Sequence, residues 1–176
     1  SAPSKSSKQS SQSKSSTKDQ NLTPKPSKTA PAVEIRVAIA NGVNSLVVGT
    51  STSSEVLNAR GKVLGRLAAN DGQNVQPDGS NIRIGKWKTS AGVWIKPAKG
   101  GLIFVGDRWY RGHLMLVSQG NNLLAVNYVD LESYITSVVG CEVSPDWPMD
   151  ALKAQAIAAR SYALVHYIRP ASSLYD

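Results

Sequence analysis

The spacing of the apolar residues changes at Asp130, and this change divides the chain into two structural parts. Before it, residues 34–39 alternate polar and apolar side chains, which is the period of a half-buried β-strand. After it, apolar residues recur every three or four positions, which is the period of one helix face. This order predicts an α+β fold in which a β-rich part, residues 32–129, precedes a helical part, residues 130–176.

The β-rich part consists of short β-forming runs separated by turn signals such as Asn41-Gly42 and Asp78-Gly79. Many short strands joined by polar turns favour an antiparallel sheet, sandwich or small barrel over parallel βαβ units. The predicted strands span residues 34–39, 45–48, 63–67, 81–84, 93–96, 102–105, 110–117 and 123–129.

Two helices are predicted after the strands. The first begins with Asp130 as N-cap and ends near Gly140. Its apolar stripe consists of Leu131, Tyr134, Ile135, Val138 and Val139. The second begins at Pro148 and stops before Arg169-Pro170. This helix is rich in alanine and apolar nearly all round, so we expect it to be buried on most sides.

Charge is concentrated at the start of the chain. The net charge is +8, and residues 1–31 hold six lysines against one aspartate, a net +5. This segment is Ser-, Lys- and Pro-rich and has Leu22 as its one large apolar residue, so it predicts a disordered basic linker. Residues 32–176 carry only +3, and nucleic acid is therefore not an expected partner.

Several other classes of protein are excluded by composition. No run of 18 or more apolar residues is present, so the chain has no predicted transmembrane segment. A single cysteine excludes an internal disulfide framework, and two scattered histidines, His113 and His166, predict no metal site.

The turn between the two helices holds the strongest candidate for chemistry. Glu142 is flanked by Cys141 and Val143, and Trp147 follows. Apolar surroundings favour the protonated form of a carboxyl, which a general acid needs. A surface or capping carboxylate is the plain alternative and stays open. On the second helix, the spacing predicts that Gln155 and Arg160 reach one groove beside this glutamate.

Three stretches of the helical part, with their spacing, resemble the signature of the SpoIID/LytB family. They are NYVDLESYI at residues 127–135, VVGCEVSPDWP at 138–148 and ALKAQAIAARSYAL at 151–164. Upstream, Tyr110-Arg111-Gly112 and Ile35-Arg36-Val37 are also similar to that family. The resemblance covers about residues 33–176.

This resemblance implies a peptidoglycan lytic transglycosylase of the cell envelope, periplasmic or extracellular, that uses no cofactor. The alternative within the same family is a non-catalytic peptidoglycan-binding or amidase-enhancer module. The implied partners are glycan strands and a cell-wall amidase. Glu142 matches the family's acid, and the residues that match its substrate groove are Lys153, Gln155, Arg160, Ser161 and Tyr162.

The implied reaction needs one acid/base group, because the C6 hydroxyl of the muramoyl residue attacks within the substrate. A cation beside Glu142 would favour its ionised form, so Arg160 is predicted to contact substrate instead. The sequence departs from the family in having Cys141 before the glutamate. The family also continues past the second helix, which implies that a further part of the groove lies beyond Asp176.

Two other interpretations concern single residues. Cys141 with His113 or His166 could form a nucleophilic pair, although a small buried side chain is the plainer role. Tryptophans can stack on sugar rings, but in a β-rich domain with a single phenylalanine the pattern favours the core. The candidates are Trp87, Trp94 and Trp109.

Overall fold

A computed structural model describes residues 32–144 and 146–176. Its strands form two six-stranded sheets, and two helices follow at the C-terminal side. The prediction of an α+β fold with antiparallel short strands before two helices is confirmed. The linker predicted for residues 1–31 lies outside the described residues.

Both sheets are antiparallel throughout. In spatial order, the first sheet contains β1 (Glu34–Val43), β12 (Asn122–Asp130), β11 (His113–Gln119), β8 (Gly92–Pro97), β3 (Ser54–Asn58) and β4 (Val63–Leu67). The second contains β10 (Arg108–Tyr110), β9 (Ile103–Val105), β2 (Leu46–Thr50), β5 (Gln73–Asp78), β6 (Asn81–Ile84) and β7 (Trp87–Ser90). The helices are α1 (Leu131–Glu142) and α2 (Met149–Ile168).

The two sheets bury one common apolar core between them. On β11, Leu114 and Leu116 are buried while Met115 between them is not, as the strand period requires. Ile82 and Ile84 of β6 do the same from the second sheet and join the same cluster. Removal of these side chains from water holds the sheets face to face.

The structure corrects three local predictions in the β-rich part. Strands β3, β5 and β7 were not predicted. Strands β5 and β7 carry few apolar residues, and the two apolar residues of β3 are adjacent and do not alternate with polar ones. Asn41-Gly42 is not a turn between strands but lies inside β1, where the register with β12 shifts. The strand predicted over 110–117 is interrupted at Gly112, which has a φ of +91°.

A second, smaller core joins the helices to the ends of β1 and β12. Its buried members are Ile35, Val129, Leu131, Ile135 and Ala163. This cluster fixes α1 and α2 at one end of the paired sheets, and it thereby fixes the position of the loop between the helices.

The start of α1 is as predicted and its end is not. The backbone N–H of Ser133 donates to Oδ1 of Asp130 at 2.9 Å, which confirms the N-cap. Gly140 does not end the helix: α1 continues to Glu142, and the N–H of Val143 donates to the carbonyl of Val139 at 3.2 Å. The candidate acid is therefore part of the last helical turn.

The bounds predicted for α2 are close to those observed, whereas its predicted burial is wrong. Within α2, all of whose residues are described, Ala163 is the single buried side chain. Ile157 and Ile168 are 63% and 74% exposed. The helix packs on α1 along one side. Apolar residues on its other sides favour burial, but burial also requires a second element that packs against them.

No helix in the described part of the chain is long and apolar enough to cross a bilayer.

Candidate active site

The loop between the helices brings Glu142 and Gln155 into direct contact. The Nε2 amide of Gln155 donates to Oε2 of Glu142 at 2.6 Å. Ala156 and Ala159 of α2 pack with α1 in the helical core. Their small side chains let the two helices approach closely, so that the end of α1 meets the second turn of α2.

One face of α1 forms a ridge between two concave surfaces. Tyr134, Val138 and Glu142 are spaced four residues apart, so they lie one above another on the helix. All three line both concavities. Glu142 is exposed and stands at the end of this ridge, where the two concavities meet.

The first concavity, of about 260 Å³, lies between α1 and β10 and is called the aromatic cleft here. Besides the ridge it is lined by Val37, Ile39, Arg108, Trp109, Tyr110, Arg111, Asn127, Val129, Ser137 and Cys141. Trp109 is 49% exposed, and its ring lies 5.3 Å from that of Phe104. The half-exposed indole of Trp109 and the carboxyl of Glu142 therefore line the same cleft.

The second concavity, of about 480 Å³, lies along α2 and is called the alanine groove. Gln155, Ala158, Ala159 and Tyr162 line it together with the ridge. The ring of Tyr162 lies 4.4 Å from the imidazole of His166. At the shared ridge, burial raises the pKa of Tyr134, and the nearby Tyr162 and Glu142 raise it further. The phenol therefore stays protonated and can act as a hydrogen-bond donor.

Arg160 lies on the other side of the helix contact and pairs with Glu132. Its Nε and Nη2 donate to the two carboxylate oxygens at 3.1 and 2.7 Å. This pairing lowers the pKa of Glu132. As predicted, Arg160 makes no contact with Glu142. The prediction that Arg160 and Gln155 reach one groove is wrong, because five residues rotate the helix by about 140° and α1 packs between them.

Two further candidates lie outside both concavities. The ammonium of Lys153 is 3.5 Å from a carboxylate oxygen of Asp150, one helical turn away on the exposed surface. The hydroxyl of Ser161 donates to the carbonyl of Ile157 at 2.9 Å, within α2 itself. Of the sequence-predicted site residues, the structure thus brings together Glu142, Gln155 and Tyr162 and leaves the others apart.

The charge around Glu142 differs from that around the other helix carboxylates. Among residues 32–144 and 146–176, no lysine, arginine or histidine forms an ion pair with it. It is also the one carboxylate among the described residues that line the two concavities. A single acid held by a neutral amide suits proton donation better than a carboxylate fixed by a guanidinium.

The β-strand side of the site was not predicted. For Trp109 the sequence favours the core over sugar binding, whereas its side chain is 49% exposed. For Asn127 the sequence indicates no role of its own. The adjacent pair Trp109-Tyr110 beside two arginines was the available signal. The position of this pair opposite α1 depends on how the second sheet packs on the first. A single sequence does not reveal that packing.

Cys141 does not behave as a buried side chain. It is exposed and lines the aromatic cleft, and neither histidine lines that cleft. No group of three or more His, Cys, Asp or Glu suited to a metal ion occurs in the part of the chain that is described.

These features define a β-sandwich domain that carries a helix pair with one carboxyl group at the junction of two clefts. Residues 119–176 match the model of the SpoIID family, described as stage II sporulation protein. The predicted resemblance to this family is confirmed over those residues, which include β12, both helices and the whole Glu142–Gln155 junction.

The chain is also similar to an uncharacterized protein of Brachyspira hyodysenteriae. The two are 46% identical over 65 residues, which are 37% of this chain. The matched stretch spans 18% of the length of that relative. No solved structure matches the chain.

Proposed function

We propose that this domain is a peptidoglycan lytic transglycosylase in which Glu142 is both the general acid and the general base. The SpoIID match supports a peptidoglycan-related role in the cell envelope. The observation that carries the finer proposal is the place of Glu142, at the point where the aromatic cleft and the alanine groove meet.

A glycan strand has sugars on both sides of the bond to be cleaved, so its enzyme needs two adjoining subsites with the acid between them. The ridge of α1 separates two such surfaces and ends in Glu142. Aromatic side chains bind the apolar faces of sugar rings, and alanines leave room for a polymer to lie flat. The aromatic cleft and the alanine groove thus serve as the two subsites.

The chemistry requires one carboxyl group and conserves all atoms of the strand. Protonated Glu142 donates its proton to the glycosidic oxygen between N-acetylmuramic acid and N-acetylglucosamine, and the C1–O bond breaks. The carboxylate then takes the proton of the muramoyl C6 hydroxyl as O6 bonds to C1, which gives a 1,6-anhydro end. Attack from within the same sugar replaces the second carboxylate that ordinary glycosidases use.

Gln155 positions the acid during this cycle. Its amide donates to Oε2 in both protonation states, which leaves Oε1 to carry the transferred proton. Lys153, Arg160 and Ser161 stay predicted substrate contacts, outside the two subsites. Nε and Nη2 of Arg160 bind Glu132, so a substrate contact that leaves this pair intact falls to Nη1.

The direct test is digestion of purified glycan strands, with 1,6-anhydro ends measured by mass spectrometry. Glu142→Gln keeps the size and the hydrogen bond to Gln155 but cannot give up a proton, so product formation should fall by about 10²- to 10⁴-fold. Glu55→Gln is the matched control, because Glu55 is also a surface carboxylate and lies on β3 away from both subsites. Equal product from Glu142→Gln and the unaltered chain would remove Glu142 from this role.

A non-catalytic module that binds peptidoglycan or stimulates an amidase is the second candidate. The exposure of Glu142 favours it, because an acid open to water lacks the dry surroundings typical of catalysis. In that case the unaltered chain binds strands, and stimulates a cell-wall amidase, without forming anhydro ends. The same digestion separates the two candidates when strand binding is measured in parallel by co-sedimentation.

A further inference from the structure

The two structural parts of the chain carry opposite net charges. Residues 32–129, which form the sheets, hold eleven lysines and arginines against five acidic residues, a net +6. Residues 130–176, which form the helix pair, hold three against six, a net −3. The excess positive charge therefore belongs to the β-sandwich and not to the helices that carry Glu142.

More than half of the sandwich cations lie at one edge. The edge strands there are β4 of the first sheet and β7 of the second, whereas β1 and β10, which line the aromatic cleft, end the two sheets on the other side. The two strands pack together, since a Cβ atom added at Gly65 would lie 2.7 Å from the ring of Trp87. This basic edge is defined by Arg60, Lys62, Arg66, Arg83, Lys86 and Lys88.

Half of the cations of the basic edge are unpaired. Asp78 pairs with two of them, and Glu55 pairs with a third through a contact of 3.3 Å that is open to water and therefore weak. Within the described residues the other three form no ion pair: Arg60, Lys62 and Lys86. Clustered cations without partners attract a polyanion.

A small cavity on the basic edge brings together one cation from each sheet. It has a volume of about 210 Å³ and is lined by Arg66, Leu67, Asp71, Gln73, Lys86 and Trp87. Arg66 belongs to β4, and Lys86 directly precedes β7. The ammonium of Lys86 lies 5.2 Å from the centre of the Trp87 ring, a cation–π contact that keeps it beside the cavity. Two cations at one concave surface suit a phosphate group, which binds each through charge-assisted hydrogen bonds.

One carboxylate restricts the kind of phosphate that fits there. Asp71 lines the same cavity and repels a bare anion. An ionised carboxylate accepts hydrogen bonds from hydroxyl groups. A ligand with a hydroxyl next to its phosphate therefore satisfies both the cations and Asp71, whereas a chain of phosphates alone does not.

The shape of the basic edge favours a thread over a membrane. Lys62 and Arg66 are four residues apart along β4, which is about 13 Å at the rise of a strand. Cations placed along a strand edge match a polymer that carries a charge in each repeat. A surface that enters a bilayer needs several exposed apolar side chains. Among the described residues of this edge, Val63 is the single large one exposed.

We propose that the basic edge binds a flexible phosphodiester polymer of a polyol, of which poly(glycerol phosphate) is the simplest. One phosphate lies between Arg66 and Lys86, the neighbouring hydroxyl donates to Asp71, and the polymer continues along β4 to Lys62. The inference rests on the proposed function for its setting in the cell envelope. It adds a second ligand at the edge opposite Glu142, so that the polymer anchors the domain while the helices face the glycan strand.

The experiment measures binding of end-labelled poly(glycerol phosphate) to the full chain by fluorescence anisotropy. Arg66→Gln combined with Lys86→Gln should weaken binding about tenfold or more, because two charge-assisted contacts are lost. The slope of log affinity against log salt should fall by about 1.4, since each phosphate contact of a flexible strand contributes about 0.7. Both side chains are exposed, so the melting temperature should stay the same and confirm that the variant folds.

The matched control combines Lys99→Gln with Arg169→Gln, which removes the same two charges at exposed positions outside the basic edge. Its affinity should stay within about twofold of the unaltered chain. The six lysines of residues 1–31 attract the polymer equally in every variant, so comparing the two double variants excludes their contribution. Equal losses in the two double variants would overturn the inference.

Two further probes distinguish this ligand from other polyanions. They are polyphosphate with the same number of phosphates and vesicles of phosphatidylglycerol with phosphatidylcholine. We expect both to bind more weakly than poly(glycerol phosphate). Equal or tighter binding of polyphosphate would show a non-specific cation patch, and equal or tighter binding of the vesicles would show a membrane surface; either result overturns the inference.

These results are distinct from failure of the proposed function. The Arg66 and Lys86 double variant should form anhydro ends from purified glycan strands at the unaltered rate, because neither residue lines the aromatic cleft or the alanine groove. Polymer binding without anhydro ends rejects the enzyme alone, whereas anhydro ends without polymer binding reject this inference alone.

Discussion

At the residue scale, the contact between Gln155 and Glu142 decides how the acid is presented. An amide donor is neutral at every relevant pH, so it orients a carboxyl without competing for its proton. The distance of 2.6 Å between Nε2 and Oε2 shows a short bond between side chains on two different helices. Without this donor the Glu142 side chain can adopt more rotamers, and a smaller fraction of them points along the ridge.

Gln155→Leu should therefore lower kcat/KM for glycan strands about tenfold, the equivalent of one hydrogen bond of about 1.4 kcal/mol. Both side chains are near the surface, so we expect the melting temperature to stay the same. Gln76→Leu, at an exposed position of β5, controls for adding an apolar side chain. Full activity in Gln155→Leu would show that the bond does not orient the acid.

Glu142 and Gln155 were predictable because they are close in sequence, on either side of one helix junction, whereas Tyr162 was implied only by the resemblance to the SpoIID/LytB family. Glu142, Gln155 and Tyr162 do line one groove. Trp109 and Asn127 were not predictable, since they belong to strands of different sheets and meet only through the packing of those sheets. Arg160 was misplaced because its partner, Glu132, lies 28 residues away along the chain.

At the element scale, the position of Glu142 depends on where α1 begins and how far it runs. Asp130 fixes the beginning, since its carboxylate accepts the N–H of Ser133. The other end was predicted two residues too early, because a glycine in a helix costs only about 1 kcal/mol and the helical core outweighs that cost. A local signal for helix termination is thus weaker than the packing that extends the helix.

Asp130→Ala should destabilise the domain by about 1 kcal/mol, the usual cost of a lost N-cap. The hydrogen bonds from Ser133 hold the pKa of Asp130 below its ordinary value. A carboxyl with a lowered pKa stabilises the folded state above its unfolded pKa of about 4, and this contribution is lost as the pH falls through the folded value.

Asp130→Asn keeps an acceptor but cannot titrate, so it provides the matched control. As the pH is lowered from 5 to about 3, the melting temperature of the unaltered chain should fall relative to that of Asp130→Asn. Thermal unfolding followed by circular dichroism measures it. A difference that does not depend on pH would show that this carboxylate does not stabilise α1 through its charge.

At the scale of the whole molecule, the two sheets are linked beside the site at Gly112. This residue connects β10 of the second sheet to β11 of the first, with a φ of +91°. A Cβ atom placed there would collide with the carbonyl oxygen of Tyr128 on β12. The close approach sets the position of β10, and with it the position of Trp109 across from α1.

Gly112→Ala should therefore cost about 3 kcal/mol or more, from backbone strain and from the collision together. Gly120→Ala is the matched control, because Gly120 also has a positive φ, +75°, but has open space around it. We expect it to cost about 1 kcal/mol. Urea unfolding compares the two, and equal losses would show that the approach to Tyr128 is not restrictive.

The pattern of apolar residues predicted the β-rich part of this molecule better than it predicted the burial of α2. The alternating strands fill a common core, as their period indicates. The apolar residues of α2 gave the same signal, but most of that helix is exposed in the part of the chain described. A sequence pattern states which side chains favour burial, whereas the partner that buries them is set by the assembled fold.

The openness of Glu142 has a consequence for the products of the proposed reaction. Since the protein leaves this carboxyl accessible, the arriving strand itself must shut out the solvent molecule that competes with O6 at the anomeric carbon. Long strands that cover the ridge from both sides should then end in anhydro sugars, whereas short ones that cover one side should yield free reducing ends. The proportion of the two ends, measured against strand length, would report how many sugars are needed to seal the site.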